Sequence, residues 1–293
     1  MGAAAVLQVG FDALALGCAY ALVALGFVLV LNAVGAVNFA HGDLVMAGGF
    51  LAVAGAQFWP ASGLALLPAV LLLMVALGVA LGVLAYVPLA RKPPTAVFVS
   101  TIAVGLMLQN GANWIFGAAP RTGPPAAGTG HVTWGGLVLD RQSMAVIAVS
   151  LVLASSLWLL MRRTQLGRRM RATAEDREMA EALGIRTGAA ILAIFAAAAA
   201  LAGAAGLLLA PRYFVTPTEG SALMLKAYIA VVIGGWGRWA GAVLGALIVA
   251  AFEVFVATWL SQPMAEALLY AAVLAILLVR PSGLLGEDQG RRA

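Results

Sequence analysis

The residues best able to do chemistry in this chain are few, and they sit among apolar neighbours. In the run Asn32–Asp43, NAVGAVNFAHGD, the polar residues Asn38, His41 and Asp43 fall between two apolar stretches. Gly35 and Gly42 loosen the backbone there. Polar groups deep in a bilayer are costly and face a cavity or a neighbouring helix. One reading is therefore a discontinuous helix lining a solute path; the other is a hydrated loop with Asp43 as a helix N-cap. One His and one carboxylate do not complete a coordination shell, so no metal site is expected. The other histidine, His131, lies in a distant Gly/Pro-rich stretch. A second group is Gln109, Asn110 and Asn113. Asn110 and Asn113 share a helix face, where amides either line a polar path or bond to neighbouring helices. Glu253 is a carboxylate inside an apolar stretch, a candidate for transport or gating against a structural hydrogen bond. Lys226 either pairs with it or snorkels to the outer interface.

The fourth group is a charged island. Between Arg162 and Arg186 stand eleven of the twenty-nine charged residues in twenty-five positions, RRTQLGRRMRATAEDREMAEALGIR. Thr173-Ala-Glu-Asp176 resembles a capping box that starts a short helix, and Gly184 is placed to end it. Arg171 with Glu175 and Arg177 with Glu181 are i,i+4 pairs. Met179 and Leu183 share one face with Ala172 and Ala180 near them. Such a helix, an apolar knob with a charged rim, can insert into a groove on a partner; alternatively the arginines only fix topology.

What is missing also counts. A P-loop needs Gly-Lys-Ser/Thr, but Lys92 and Lys226, the only lysines, are followed by Pro93 and Ala227. A G-x-S-x-G nucleophile elbow is absent as well. The single cysteine, Cys18, excludes an internal disulfide or a cysteine-based metal cluster and reads as a small packing residue.

The elements that must position these groups are membrane helices. The chain is 63% hydrophobic and 10% charged, with mean hydropathy +1.01, a profile of long apolar runs rather than of a soluble fold. The net charge of +5 then reports orientation, not nucleic-acid binding. Apolar runs cover roughly 11–32, 43–59, 64–89, 95–116, 143–161, 189–210, 221–236, 239–260 and 266–280. The second, seventh and ninth are short, which suggests broken or re-entrant helices lining a cavity. The seventh ends in Gly234-Gly235-Trp236-Gly237, a helix breaker. The fold class expected is all-α: a polytopic integral membrane protein of about eight to nine transmembrane or re-entrant helices, one domain over 1–293, without an internal repeat. The positive-inside rule puts Arg91-Lys92, the loop 162–186 and Arg280, Arg291 and Arg292 in the cytoplasm. Loop 117–142 then faces outward, as does 211–220. Within the former, HVTWGGLVLD reads as a hairpin turning at Gly135-Gly136. If all early segments span, the N-terminus is outside. It lacks a basic n-region, so no cleaved signal peptide is expected.

Whole stretches resemble one family. NFAHGDLVMAGGF, following a helix that ends in LGFVLVLNAVG, closely resembles the signature of the branched-chain amino acid ABC transporter permeases. GRRMRATAEDREMAEALGI resembles that family's cytoplasmic coupling loop, KAYIAVVIGGWGRWAGAVLGALIVAAFE its late segment, and RPSGLLG its C-terminal end. The compact N-terminus and NFAHGD spelling resemble the first of the family's two permease types. The resemblance runs in order over essentially the whole chain and departs at the bulky Trp236, Arg238 and Trp239. It implies a membrane subunit of an ATP-driven importer in the bacterial plasma (inner) membrane, not an enzyme. Expected partners are a second permease subunit, two cytoplasmic ATPase subunits carrying ATP and Mg, and an extracytoplasmic binding protein; no cofactor is expected on this chain. The solute would be a branched-chain amino acid, another amino acid, an amide or urea. Carried over by position, Asn38, His41, Asp43, Gln109, Asn110 and Glu253 would border the substrate pathway. Thr173, Ala174, Glu175, Asp176, Met179, Leu183 and Gly184 would form the coupling helix. Gly42, Gly234, Gly235 and Gly237 would be hinges. The alternative class is an ion-coupled secondary transporter using His41, Asp43 or Glu253.

Overall fold

A computed structural model describes residues 3–59, 62–90, 92–134 and 137–279. Arg91, Gly135-Gly136, Arg280, Arg291, Arg292 and the RPSGLLG motif lie outside the described residues. Each expected apolar run forms a helix: α1 (Ala3–Val34), α2 (His41–Phe58), α3 (Gly63–Leu81), α4 (Pro94–Phe116), α5 (Arg141–Arg163), α8 (Thr187–Leu209), α9 (Glu219–Gly234), α10 (Trp239–Ala257) and α11 (Gln262–Val279). Two short helices, α6 (Gln165–Glu175) and α7 (Arg177–Ala182), occupy the charged island. The only sheet among the described residues is the expected hairpin. Its strands β1 (His131–Trp134) and β2 (Leu137–Asp140) pair antiparallel, with His131 opposite Asp140 and Trp134 opposite Leu137.

The chain is an all-α polytopic membrane protein. Seven helices among the described residues are long and apolar enough to cross a bilayer: α1, α3 with its continuation to Leu89, α4, α5, α8, α10 and α11. Helices α2 and α9, two of the three expected to be short, are not among them; α11, the third, is. The sites where the chain breaks are chemically plain. Gly35 ends α1 at φ +68°, and Gly235 and Gly237 turn the chain between α9 and α10 at φ +98° and +75°; residues with a Cβ rarely adopt such values. Beyond Leu81, α3 widens into a π turn over Gly82–Tyr86 and tightens into a 3₁₀ turn over Val87–Leu89.

Sidedness is consistent throughout. The Arg121 N–H donates to the Val215 carbonyl at 3.1 Å, and the Val215 N–H returns to Arg121 at 2.8 Å. These bonds join loop 117–130 to the stretch before α9. Gly63 at the start of α3 donates to Pro125 at 2.9 Å. The Val138 N–H donates to Gln8, and Arg212 pairs with Asp12 at 2.8 Å. The beginning of α1 therefore lies with the hairpin and the stretch after α8. At the opposite end, the Asn32 side chain donates to the Gly237 carbonyl at 2.8 Å, and the charged island meets the end of α3. The two ends of α1 therefore lie at opposite faces of the bundle, the first with loop 117–130 and the second with the charged island.

Helix α2 starts inside the bundle rather than at its edge. His41 lies against Val23 and Gly26 in the middle of α1, and α2 ends at the exposed Phe58. Helices α1 and α8 form the centre, and α2 packs on α8 through glycines. A Cβ on Gly48 would run into the backbone of Gly203, and one on Gly206 into the Val45 carbonyl. Gly48→Val is expected to destabilise by about 1–3 kcal/mol or more, the usual effect of overpacking. The thermal midpoint in detergent checks this, with Gly10→Val as control, since nothing lies within 4 Å of a Cβ at Gly10.

Candidate functional site

The run 35–40 climbs back into the bundle before α2 begins. Along it the Asn38 side-chain oxygen accepts from the Ala40 N–H at 3.2 Å, and the Phe39 N–H donates to the Thr101 hydroxyl at 3.1 Å. These bonds stand in for the helical ones that a break forgoes. His41 is fully buried, with Nε2 at 3.0 Å from the Val23 carbonyl and its ring edge-on to Phe27. Gly26 makes room for it, because a Cβ there would touch the imidazole. Among the described residues, the Asn38 amide nitrogen and His41 Nδ1 are buried without a hydrogen-bond partner.

Asp43 occupies a slot bounded by two glycines. A Cβ on Gly105 of α4 would meet its Oδ2, and a Cβ on Gly220 of α9 would meet its Oδ1. Gln109 Nε2 donates to Asp43 Oδ1 at 2.9 Å and lies 3.3 Å from the Ser221 hydroxyl. The carboxylate stands in the first turn of α2, where the helix dipole favours negative charge. Gly42 is needed for closeness: a Cβ there would strike the Gly220 carbonyl and Met224. It is a packing glycine inside α2, as Gly234 is against Gly241. Gly235 and Gly237 instead carry the turn.

Glu253 belongs to a separate network. The Lys226 ammonium lies 2.8 Å from Glu253 Oε1 and 2.9 Å from Glu266 Oε1. The Tyr20 hydroxyl donates to Glu253 Oε2 at 3.0 Å, and Gln262 Nε2 donates to Oε1 at 2.6 Å. These groups come from α1, α9, α10 and α11. Of the two alternatives open for Lys226, it is the pairing with Glu253 that forms. Tyr20, Gln262 and Glu266 were absent from the sequence expectation. Glu266 and Gln262 are four apart on one face of α11, which is the available signal. His41, Asp43 and Glu253 do not converge on one site. Asn110 also departs from expectation: it is exposed on α4 and bonds to its own Leu106 carbonyl at 2.7 Å, turned away from the slot that Gln109 reaches.

The charged island is built differently from the expected single helix. Thr173 does not cap a helix. It is buried in the last turn of α6, and its hydroxyl donates to the Arg169 carbonyl at 2.8 Å. Thr164 caps α6, accepting from the Gly167 N–H at 3.0 Å, and Asp176 caps α7, accepting from the Met179 N–H at 2.9 Å. The Thr-x-x-Asp pattern is outcompeted because Met170 and Thr173 are buried by the membrane helices, and that burial carries α6 through to Glu175. Gly184 does end α7, at φ +78°. The Ile185 N–H reaches the Ala180 carbonyl at 3.0 Å and the Gly184 N–H that of Glu181 at 2.9 Å, a Schellman closure. Arg177 pairs with Glu181 at 3.1 Å as expected, while Arg171 bonds to the Met161 carbonyl of α5. Arg177 also donates to the Tyr86 hydroxyl at 2.8 Å and the Ala90 carbonyl at 3.3 Å, tying α7 to the end of α3. Met179 and Leu183 are exposed, at 58% and 74%, as are Glu175 and Asp176.

Comparison with known proteins bears on the whole chain. The family model described as "Branched-chain amino acid transport system / permease component" matches residues 10–278. The high-affinity branched-chain amino acid transport system permease protein BraD of Pseudomonas aeruginosa is 31% identical, over 97% of this chain and 96% of its own length. LivH of Escherichia coli K12, named for the same transport system, is 30% identical over the same shares. The ribose import permease protein RbsC of Bacillus subtilis is 30% identical over 55% of this chain and 52% of its own. No solved structure matches.

The Lys226 network carries a stability expectation. Lys226→Met leaves two carboxylates without their cation, and removing one partner of a buried ion pair costs about 3–5 kcal/mol. The double variant Lys226→Met/Glu253→Gln is expected to recover part of that loss, measured as thermal midpoints of the purified protein. Equal midpoints for the single variant and wild type would sink the assignment.

Proposed function

We propose, since this chain belongs to the family of branched-chain amino acid transport permease components, that it is the membrane-spanning subunit of an ATP-driven importer in the bacterial inner membrane. Such a subunit translocates solute and does no catalysis of its own. Its solute is a branched-chain amino acid or a related small polar molecule, and residues 1–293 act as one permease domain. Its partners are a second permease subunit, two cytoplasmic ATPase subunits that hold ATP and Mg, and an extracytoplasmic binding protein. The observation that carries this reading is the build of α7. Two exposed apolar side chains, Met179 and Leu183, stand on a helix fixed at both ends by caps. That helix is bolted to the membrane helices by Arg177. An exposed apolar knob so held fits a groove on another protein. Force applied to α7 reaches α3 through Tyr86 and α8 through Thr187, whose hydroxyl donates to Glu181 at 2.5 Å.

The Asp43 slot is the assigned centre of the substrate path, with Asn38, His41 and Gln109 around it and Gly42 allowing α2 and α9 to meet. Glu253 supports the path from the outer side. Asn110 and Asn113 are exposed amides within a span. Polar groups at such a place are covered by protein rather than lipid, which supports a second permease against α4. The ion-coupled alternative lacks a shared site for its three groups.

Met179→Asp/Leu183→Asp is expected to lower ATPase co-purification and ATP-driven uptake by at least about tenfold, as for loss of an interface anchor. The thermal midpoint should stay unchanged, since both residues face solvent. In vesicles, uptake should survive collapse of ion gradients and stop without ATP; the reverse would point to the ion-coupled class.

A further inference from the structure

Helix α5 ends in a basic surface that has no part in the α7 knob or the Asp43 slot. Two rows of side chains run along its exposed face toward the charged island. Leu151, Trp158 and Arg162 form one, and Val152, Leu159 and Arg163 the other. Steps of four and seven keep each row on one side of a helix. Both rows are apolar within the span and turn basic in its last turn. Between Ile147 and Leu160 this helix has no charge and no amide, so its exposed face suits acyl chains, unlike the exposed amides of α4. A tryptophan at the end of such a face marks the level of the lipid headgroups. Arg162 and Arg163 stand one turn beyond it. The Arg162 guanidinium lies over the Trp158 ring, 5.2 Å from its centroid, so the ring orients the cation while its N–H donors stay open. Neither arginine has a hydrogen-bond or ion-pair partner among the described residues.

We propose that this end of α5 is a binding site for the headgroup of an anionic phospholipid, with the Arg162 and Arg163 guanidinium groups on its phosphate and Trp158 and Leu159 against its upper acyl chains. A guanidinium matches a phosphate with two parallel N–H bonds. A zwitterionic headgroup brings its own ammonium to a surface that already holds two unpaired cations, whereas a headgroup of net negative charge brings none. The place is also held firmly. The Thr164 hydroxyl donates to the Leu160 carbonyl at 2.7 Å, and Arg171 bonds to the Met161 carbonyl. A Cβ on Gly167 would strike Leu160 and Met161. These contacts fold α6 onto the last turn of α5, so little order is left to impose when a lipid binds. From there α6 runs directly into the Asp176 cap of α7. A headgroup at this elbow therefore anchors the start of the segment that ends in the exposed Met179 and Leu183. Arg168 is the natural comparison. It too is exposed, but on α6, on the side away from the buried Met170 and Thr173, and it lies off both rows.

The test uses the full-length protein with its co-purifying partners, in nanodiscs of equal phosphatidylglycerol and phosphatidylcholine. The photo-reactive residue benzoylphenylalanine replaces Leu159, and mass spectrometry identifies what it captures. Phosphatidylglycerol adducts are expected to exceed phosphatidylcholine adducts at least about fivefold, the effect of roughly one arginine beside an anionic lipid. On the same background Arg162→Gln/Arg163→Gln is expected to bring the ratio to within about twofold of unity. Arg162→Lys/Arg163→Lys and Arg168→Gln are expected to keep it within about twofold of its starting value. Retention by the Lys double variant separates a lost charge from a misfolded chain. A ratio near unity in the starting protein, an unchanged ratio in the Gln double variant, or an equal fall with Arg168→Gln overturns the site. Capture of a protein subunit in place of lipid overturns it too, and assigns the surface to that partner.

Discussion

The contact between Gly42 and Gly220 governs the architecture. Two helices begin within the bundle, and their first turns meet there so closely that neither position has room for a Cβ. In a bilayer a broken helix exposes backbone donors and acceptors that water cannot satisfy. The break is tolerable only where protein closes over it. Here the Thr101 hydroxyl and the Asn38 side chain accept from the freed N–H groups of Phe39 and Ala40, and the two helix starts shield each other. Asp43 then enjoys a site that few intramembrane carboxylates have: a helix N-terminus, an amide donor from Gln109, and two glycines whose missing side chains leave its oxygens space.

Helix α8 joins that centre to both faces. Its start is bonded to the charged island through Thr187 and Glu181. Its middle lies on α2 at Gly203 and Gly206, and its end, Leu209 and Ala210, lines a cavity beside Tyr213 and Val215. A rigid helix of this length transmits displacement with little loss, because interiors are close-packed and deform poorly. The second route, from Arg177 to Tyr86, ends in the π turn of α3. Such turns are poorer in regular hydrogen bonds and recur at functional sites, so α3 can shift at its cytoplasmic end without breaking its outer half.

What the sequence reveals of this arrangement follows the physics of each signal. The nine apolar runs are legible because span length is set by the bilayer, and the breaks at Gly35 and Gly235–Gly237 because only glycine suits them. The rotation of each helix is not legible. Helices such as α1 and α8 are apolar all round, so no periodic stripe says which face is inside. That is why Gln109 and Asn110, neighbours in sequence, could both be assigned to the path although one reaches Asp43 and the other faces outward. Partners of Glu253 are hidden for a similar reason: Tyr20 is 233 positions away. In the charged island the local pattern misleads outright. Thr173 with Asp176 reads as a helix start, yet burial of Met170 and Thr173 against the membrane helices continues α6 through it, and tertiary packing overrides a cap worth about 1 kcal/mol.

The two kinds of contact in the bundle also differ in what they resist. Lys226 binds α1, α9, α10 and α11 through hydrogen bonds and ion pairs whose geometry is directional. Sliding one of these helices would strand a charge in an apolar surround, a cost of several kcal/mol. The faces of α2 on α8 and of α2 on α9 meet through glycines, with dispersion as the main tie. Such smooth faces tolerate the small shear displacements by which packed helices move. The seam between the two groups runs between α2 and α9, and Asp43 stands on it. Gln109 of α4 straps that seam, bridging Asp43 and Ser221. An amide there, neutral and two-handed, holds the seam without the penalty that a charge would incur each time it opened.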